Sequence, residues 1–335
     1  MHSRMKRLSW ILALAFGLVF LGATAMNAAL VAKARSALVG MPVIAKAEAR
    51  SFQIAVILPD TNDSFFKGIL DGVSSEAADA DVAVQVFRYA GQSAQEADRY
   101  FEIALRSKVD GIVMYRSRSE ASPALAGEAK ADEAARLGVV YIPVGTDAPE
   151  DESGPFIGSG SRLQGFEGGR LIGKKLGGRV RVGVILSGSG SGLPEDEPLY
   201  RGLVTALRGY PGAIVVDLAE AEPGMLSGEA VAESMLRAHP DINAMLCSNA
   251  QDTVGVVQVL LDLNKVGAVL VVGADETEDI RRYIDKGVIL ASIVRDSNKI
   301  GREAVLTFSR IKKGALVPAP KETGFFVVAG KKASR

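Results

Sequence analysis

Apolar residues in this chain fall into short unbroken runs separated by amphipathic stretches. The runs at 53–58 (QIAVIL), 82–87, 111–115 and 140–144 are followed by a second set at 180–186, 213–217, 244–248 and 269–272. Runs of this length, apolar at successive positions and rich in Val and Ile, predict strands buried on both faces. Between them apolar positions recur at helical spacing, as at Ala97, Phe101, Ala104 and Leu105. Helices are predicted from Asp63 or Ser64 to about Ala78, and over 123–137, 163–176, 199–208, 228–238, 253–263, 278–286 and 297–313. Further strands are predicted at 289–294 and 325–328. Strand and helix alternate almost throughout, which requires crossover connections and hence parallel sheets with helices on both faces.

The pattern repeats. The stretch 139–147 (VVYIPVGTD) is echoed by 269–276 (VLVVGADE), with Asp147 and Asp275 lying 128 positions apart (275 − 147). The stretch 54–58 matches 182–186 at the same offset, and 111–116 matches 244–249 at 133. A period this long describes two copies of one α/β unit, not a solenoid. In an open parallel sheet the ligand lies beyond the carboxyl ends of the strands. Asp275 stands just there, and Asp147 echoes it. Asp275 could instead cap the helix that follows, but the echo favours a ligand role, with its carboxylate solvated until a ligand arrives. The fold class is therefore α/β, two doubly wound parallel-sheet lobes joined by hinge crossings, with a ligand cleft between them.

The first 31 residues change the picture of where this happens. Arg4, Lys6 and Arg7 precede an apolar run over 8–31 that ends without a cysteine. This is a secretory signal or, equally, an uncleaved membrane anchor, and either places the rest outside the cytoplasm. The Ala-rich segment 32–51 reads as a tether, which a cleaved product would not need.

Composition mostly excludes. With 39 basic and 39 acidic side chains there is no electrostatic case for nucleic acid. The one cysteine, Cys247, sits in a predicted strand, and of two histidines one lies in the leader and the other, His239, at a helix end. No metal cluster, catalytic triad or phosphate loop is marked, so no catalytic residue, metal or cofactor is expected. The GSGSG stretch at 188–192 follows a strand, but Leu193 stands where a dinucleotide fingerprint needs its third glycine. Acidic residues and prolines follow where a pyrophosphate would meet a helix.

DTNDSFFKGILDGV after the first strand, VDGIVMY, VVGADE and VILASIVRDSNKIG together resemble the ribose/galactose-type periplasmic binding proteins, which share their fold with the ligand domains of LacI-type repressors. The likeness runs from Phe52 to about Gly330. It implies a sugar clamped between lobes, with rings stacked on it and Asp, Asn and Arg on its hydroxyls. Phe65 and Phe66 match the paired aromatic positions, Asn62 and Asp63 the polar positions before them, and Asn249 and Asp275 the second lobe's site residues. Arg295 falls where the family often has Gln or Asn. Elsewhere the family pattern is lost. Gly145-Thr146 replaces an Asp-Arg pair, leaving Thr146 and Asp147 as the polar groups there. Gly160-Ser161 replaces Asp-Asn at the first crossing, and Leu199 stands in place of an arginine. Arg116, Arg118 and Arg295 at strand ends leave room for a ligand bearing a carboxylate or phosphate.

The resemblance implies lobes of 52–158 plus 296–322 and of 159–295 plus 323–330, crossing near Ser159, Arg295 and Thr323. The expected function is an extracytoplasmic solute-binding protein that delivers a sugar-like ligand to a permease of an ABC-type uptake system, acting as a monomer. The alternative is a membrane-anchored sensory module signalling to a kinase or chemoreceptor partner. A repressor is excluded, because an apolar leader stands where the DNA-reading helices would be.

Overall fold

Strand β1 (Phe52–Asp60) is lined on both sides by core, and this explains its run of apolar residues. Ile54, Val56 and Leu58 turn to one face, while Ala55 and Ile57 turn to the other. The computed structural model describes residues 50–61, 63–90, 93–116, 123–148, 154–187, 194–222 and 225–330. The leader, the tether to position 49, Asn62, Arg118 and the 188–192 stretch lie outside these residues. Among the described residues no helix is long and apolar enough to cross a membrane.

From β1 the chain runs through α1 (Ser64–Asp79), β2 (Val82–Ala90), α2 (Ala94–Arg106), β3 (Gly111–Tyr115), α3 (Pro123–Arg136), β4 (Val140–Val144) and β5 (Ile157–Gly158). It continues through α4 (Ser161–Leu176), β6 (Arg181–Ser187), α5 (Pro198–Leu207), β7 (Ile214–Ala221), α6 (Met225–Ala238), β8 (Ala244–Cys247) and α7 (Ala250–Asp262). Strand β9 (Leu270–Ala274), α8 (Glu278–Asp285), β10 (Ala291–Arg295), α9 (Ser297–Lys312), β11 (Lys321–Glu322) and β12 (Phe325–Ala329) complete it. Strand β7 runs four residues past the predicted end, so Asp217 lies within the strand and not at its carboxyl end.

Two six-stranded sheets result, ordered β2-β1-β3-β4-β5-β11 and β7-β6-β8-β9-β10-β12. The orders are the same, so the repeat in sequence is a repeat in topology. All pairings between named strands are parallel except β10 with β12. In each sheet the order reverses beside the first strand, and the carboxyl ends there form the crevice of a doubly wound fold.

Helix α9 follows a strand of the second sheet but packs on the first. Ile300, Ala304, Val305 and Phe308 join the core of β1 and α1. Its approach to α1 is backbone-close, because a Cβ at Gly72 would strike the carbonyl of Asn298 and one at Gly301 that of Ile69. The chain thus passes between sheets at 159–160, at 296 and at 323–324, and the three passages are bonded together. Thr323 N donates to the Gly158 carbonyl at 2.8 Å, and the Thr323 hydroxyl lies 3.2 Å from that oxygen and 3.3 Å from the Asp296 carbonyl. Gly160 (φ 79°) and Gly324 (φ 85°) take left-handed conformations at two of them, where a side chain would be strained.

Candidate functional site

The polar groups at the strand ends are set by the turns that start the next helices. Asp63 caps α1, its Oδ1 accepting from Phe65 N at 2.9 Å. Asn249 caps α7 in the same way, accepting from Asp252 N at 2.7 Å. Thr253 ties α7 to the end of β9, its Oγ1 accepting from Ala274 N at 3.1 Å. This works only because Gly273 has no side chain, since a Cβ there would overlap Thr253.

Asp275 does not cap a helix. Thr277 does that, accepting from Ile280 N at 3.2 Å. Asp275 adopts φ 60°, a left-handed conformation that Asp tolerates better than most residues. Its backbone is held there by Asp275 N to Ile293 O at 3.0 Å and by the Ser292 hydroxyl on its carbonyl at 2.6 Å. The turn aims the carboxylate at Arg295, the last residue of the neighbouring β10. Arg295 Nε donates to Oδ1 at 2.8 Å and Nη2 to Oδ2, a two-pronged ion pair. Asp275 is only 3% exposed. The expectation of a solvated carboxylate is thus corrected: tertiary pairing of β9 with β10 buries it and places a guanidinium on it.

Phe65 completes this group from the other lobe, its ring centroid 4.0 Å from the Arg295 guanidinium carbon. Both Phe65 and Phe66 are buried, in T-shaped contact at 5.4 Å, and Phe66 meets Tyr115 likewise at 4.8 Å. One face of the Phe65 ring is covered by the guanidinium. Burial raises the pKa of Asp63; Arg295 opposes the rise, Asp275 adds to it, and the Phe65 N–H opposes it. Burial also works against the charge on Arg295, but Asp275 outweighs it and holds the guanidinium firmly protonated.

The remaining candidates lie around this centre in different ways. Asn249 Nδ2 donates to Ser187 Oγ at 2.6 Å and to Asp252 Oδ2 at 2.7 Å, so both amide protons are engaged. Arg116 is buried, 5.2 Å from the Phe156 ring centroid. Thr146 turns its carbonyl to Ser159 N and Gly160 N, both at 2.9 Å. Asp147 Oδ1 accepts from Ser161 N at 2.8 Å, bridging the first crossing to the start of α4. Leu199 is buried against Gly165, and its neighbour Arg201 pairs with Asp196 at 2.7 Å on the surface.

Asp252 was not read from sequence as a site residue. It is 1% exposed, and burial pushes its carboxyl up to about 7, with the Asn249 hydrogen bond opposing and Asp63 adding to the rise. The signal was present: Asn249-Ala-Gln-Asp252 has the spacing of a capping box, with an acid where Glu is usual. Asp63 and Asp252 come from different lobes, and the charge of Asp63 adds to the rise at Asp252.

Comparison with known proteins agrees with this architecture. The family described as the periplasmic binding protein domain matches residues 54–315. The ribose import binding protein RbsB of Escherichia coli is 25% identical over 266 residues, 79% of this chain and 86% of that protein. The D-allose-binding periplasmic protein of the same organism is 26% identical over 174 residues, 52% of this chain and 56% of that protein. Among solved structures, the glucose-galactose binding protein GanP of Geobacillus stearothermophilus superposes with a TM-score of 0.75 at 23% identity, covering 83% of this chain and 97% of its own. A periplasmic solute-binding protein of Actinobacillus succinogenes with bound D-allose gives 0.73 at 19% identity, covering 84% and 98%. With two lobes of one topology and a family match across both, this chain belongs to the periplasmic binding protein domain family.

Proposed function

We propose that this protein is an extracytoplasmic solute-binding protein that clamps a sugar or sugar-like ligand between its lobes and delivers it to an ABC-type importer. The observation that carries the reading is the Asp275–Arg295 pair at the second lobe's strand ends, roofed by Phe65 and faced by Asp63 from the first. A charged pair held by its own two-pronged contact is preorganised to meet hydroxyls without rearrangement. Asp63, Asn249, Asp275 and Arg295 are the central contacts, with Asn249 limited to accepting. Arg116, Thr146 and Asp147 are further candidate contacts toward the first lobe, and Asn62 remains a candidate from the sequence. Phe65 positions the guanidinium, and Phe66 with Tyr115 supplies an aromatic wall.

Relatives named for ribose import and allose binding support delivery to a transporter, and this reading is preferred to the sensory one. The crossings at 159–160, 296 and 323–324 are the hinge, the two lobe segments running 52–158 with 296–322 and 159–295 with 323–330. The leader either anchors the chain to the membrane or directs its export. The test is calorimetric titration of the sugar-free protein with pentoses and hexoses, paired with small-angle scattering. Saturable binding with compaction is expected, and a panel without any binding overturns the reading.

A further inference from the structure

The second lobe's strand ends carry two hydroxyls bonded directly to Asn249. Ser187 ends β6 and Ser248 follows β8. Strands β6, β8, β9 and β10 are neighbours in that order, so the two serines continue the row of Asp275 and Arg295 along the carboxyl edge of one sheet. Asn249 Nδ2 donates to Ser187 Oγ at 2.6 Å, Ser187 N donates to Ser248 Oγ at 2.7 Å, and the two hydroxyl oxygens lie 3.0 Å apart. Each hydroxyl has one proton, and the pair shares one hydrogen bond, so one proton is left over. Neither hydroxyl has another partner among the described residues. Ser248 is half-buried and Ser187 is exposed. The arrangement that satisfies the less accessible group has Ser248 accepting the Ser187 amide and giving its proton to Ser187. Ser187 Oγ then accepts twice, from Asn249 and from Ser248, and the proton left over is its own.

We propose that Ser187 is a specificity-determining contact of the binding site, donating its hydroxyl proton to one oxygen of the sugar, with Ser248 and Asn249 as the residues that aim it. This rests on the reading of the cleft as a sugar site. Such a site calls for donors as well as acceptors, because a sugar hydroxyl does both and a carboxylate can only receive its proton. Both amide protons of Asn249 are engaged, and Arg295 gives Nε and Nη2 to Asp275. Asn249 therefore donates inside the protein, and its donation is passed on through Ser187. A hydroxyl that already accepts two bonds is polarised toward donating, and with both lone pairs taken Ser187 presents no acceptor. It selects a ligand oxygen by position. A sugar with hydrogen in place of that hydroxyl leaves the Ser187 proton unpaired once the lobes exclude water.

The experiment is calorimetric titration of the full-length chain, purified free of sugar, with pentoses and hexoses including D-ribose and D-allose, and with each monodeoxy derivative of the sugar that binds tightest. Ser187→Ala should weaken that sugar about 3- to 10-fold. One monodeoxy derivative, about 10-fold weaker than its parent on the native protein, should lose most of that penalty on Ser187→Ala, because each lacks the other's partner. Ser187→Thr keeps the hydroxyl and should keep the penalty. Ser248→Ala should keep it too, with binding weakened about 3-fold or less through lost orientation. Thermal melts establish that the variants fold, and Ser187→Cys, near in shape but a weak donor, gives the same comparison should the alanine variant not fold. Deoxy penalties that all persist in Ser187→Ala, or in Ser187→Cys in its place, mark a merely structural serine and overturn the proposal while leaving the sugar site standing. Absence of binding by every sugar overturns both.

Discussion

Asp147 and Asp275 occupy the same place in the two halves of the molecule, each three residues past the last valine of an equivalent strand, and they do different work. Asp147 is partly exposed and uses one oxygen to receive the Ser161 amide, stitching the first crossing to α4. Asp275 is buried, turned into a left-handed conformation, and grips Arg295 with both oxygens. The cause is the neighbour. Beside β4 runs β5, two residues long and ending in Gly158, whereas beside β9 runs β10, five residues long and ending in Arg295. A duplicated motif therefore keeps its backbone position while the adjoining strand decides whether its carboxylate braces a crossing or anchors a charge.

The largest expected effect breaks the second of these roles. Asp275→Ala leaves Arg295 buried and uncompensated, so the ligand-free protein should lose about 3–5 kcal/mol by urea unfolding, and sugar binding should be lost with it. A loss below about 1 kcal/mol would mean that the pair is not formed in solution.

Next comes Asp252, whose carboxyl is raised from 3.8 to about 7, chiefly by burial. The unfolded chain ionises it first, so its contribution is full below pH 3.8, falls as pH rises toward 7, and is constant above. At about 1.4 kcal/mol for each pH unit between the unfolded and folded values, this amounts to a few kcal/mol. Asp252→Asn should flatten that part of the stability–pH profile measured by denaturant melts, and an unchanged slope would count against a buried acid there.

Asp147→Ala sharpens the comparison from the other side. Losing a single amide contact at a helix start should cost about 1 kcal/mol, readable as a small shift in the urea midpoint. A cost equal to that of Asp275→Ala would erase the distinction between the halves. Smallest of all, Asp217→Ala on β7 should move stability by no more than about 0.5 kcal/mol in the same assay, because its partners are its neighbour's amide and His239 at 3.5 Å on a partly exposed face.

The sequence by itself determined the architecture. Apolar runs such as 53–58 and 269–272 are legible as doubly buried strands because each residue must satisfy one sheet face or the other. The echoes at 128 positions are legible because a repeat in sequence needs no structure to be seen. Asp63 was readable as a cap too, since a cap acts on amides two or three residues away. What only the tertiary structure decided is every contact set by which strands are neighbours. Asp275 meets Arg295 because β9 lies beside β10, and Phe65 covers that guanidinium because two lobes converge there. Asp252 acquires a raised pKa because α6, α7 and an acid from the opposite lobe close around it. Strand order and lobe approach are properties of the whole chain, while residue pattern reports only what is local. The roles of these acids were therefore hidden until the sheets were assembled.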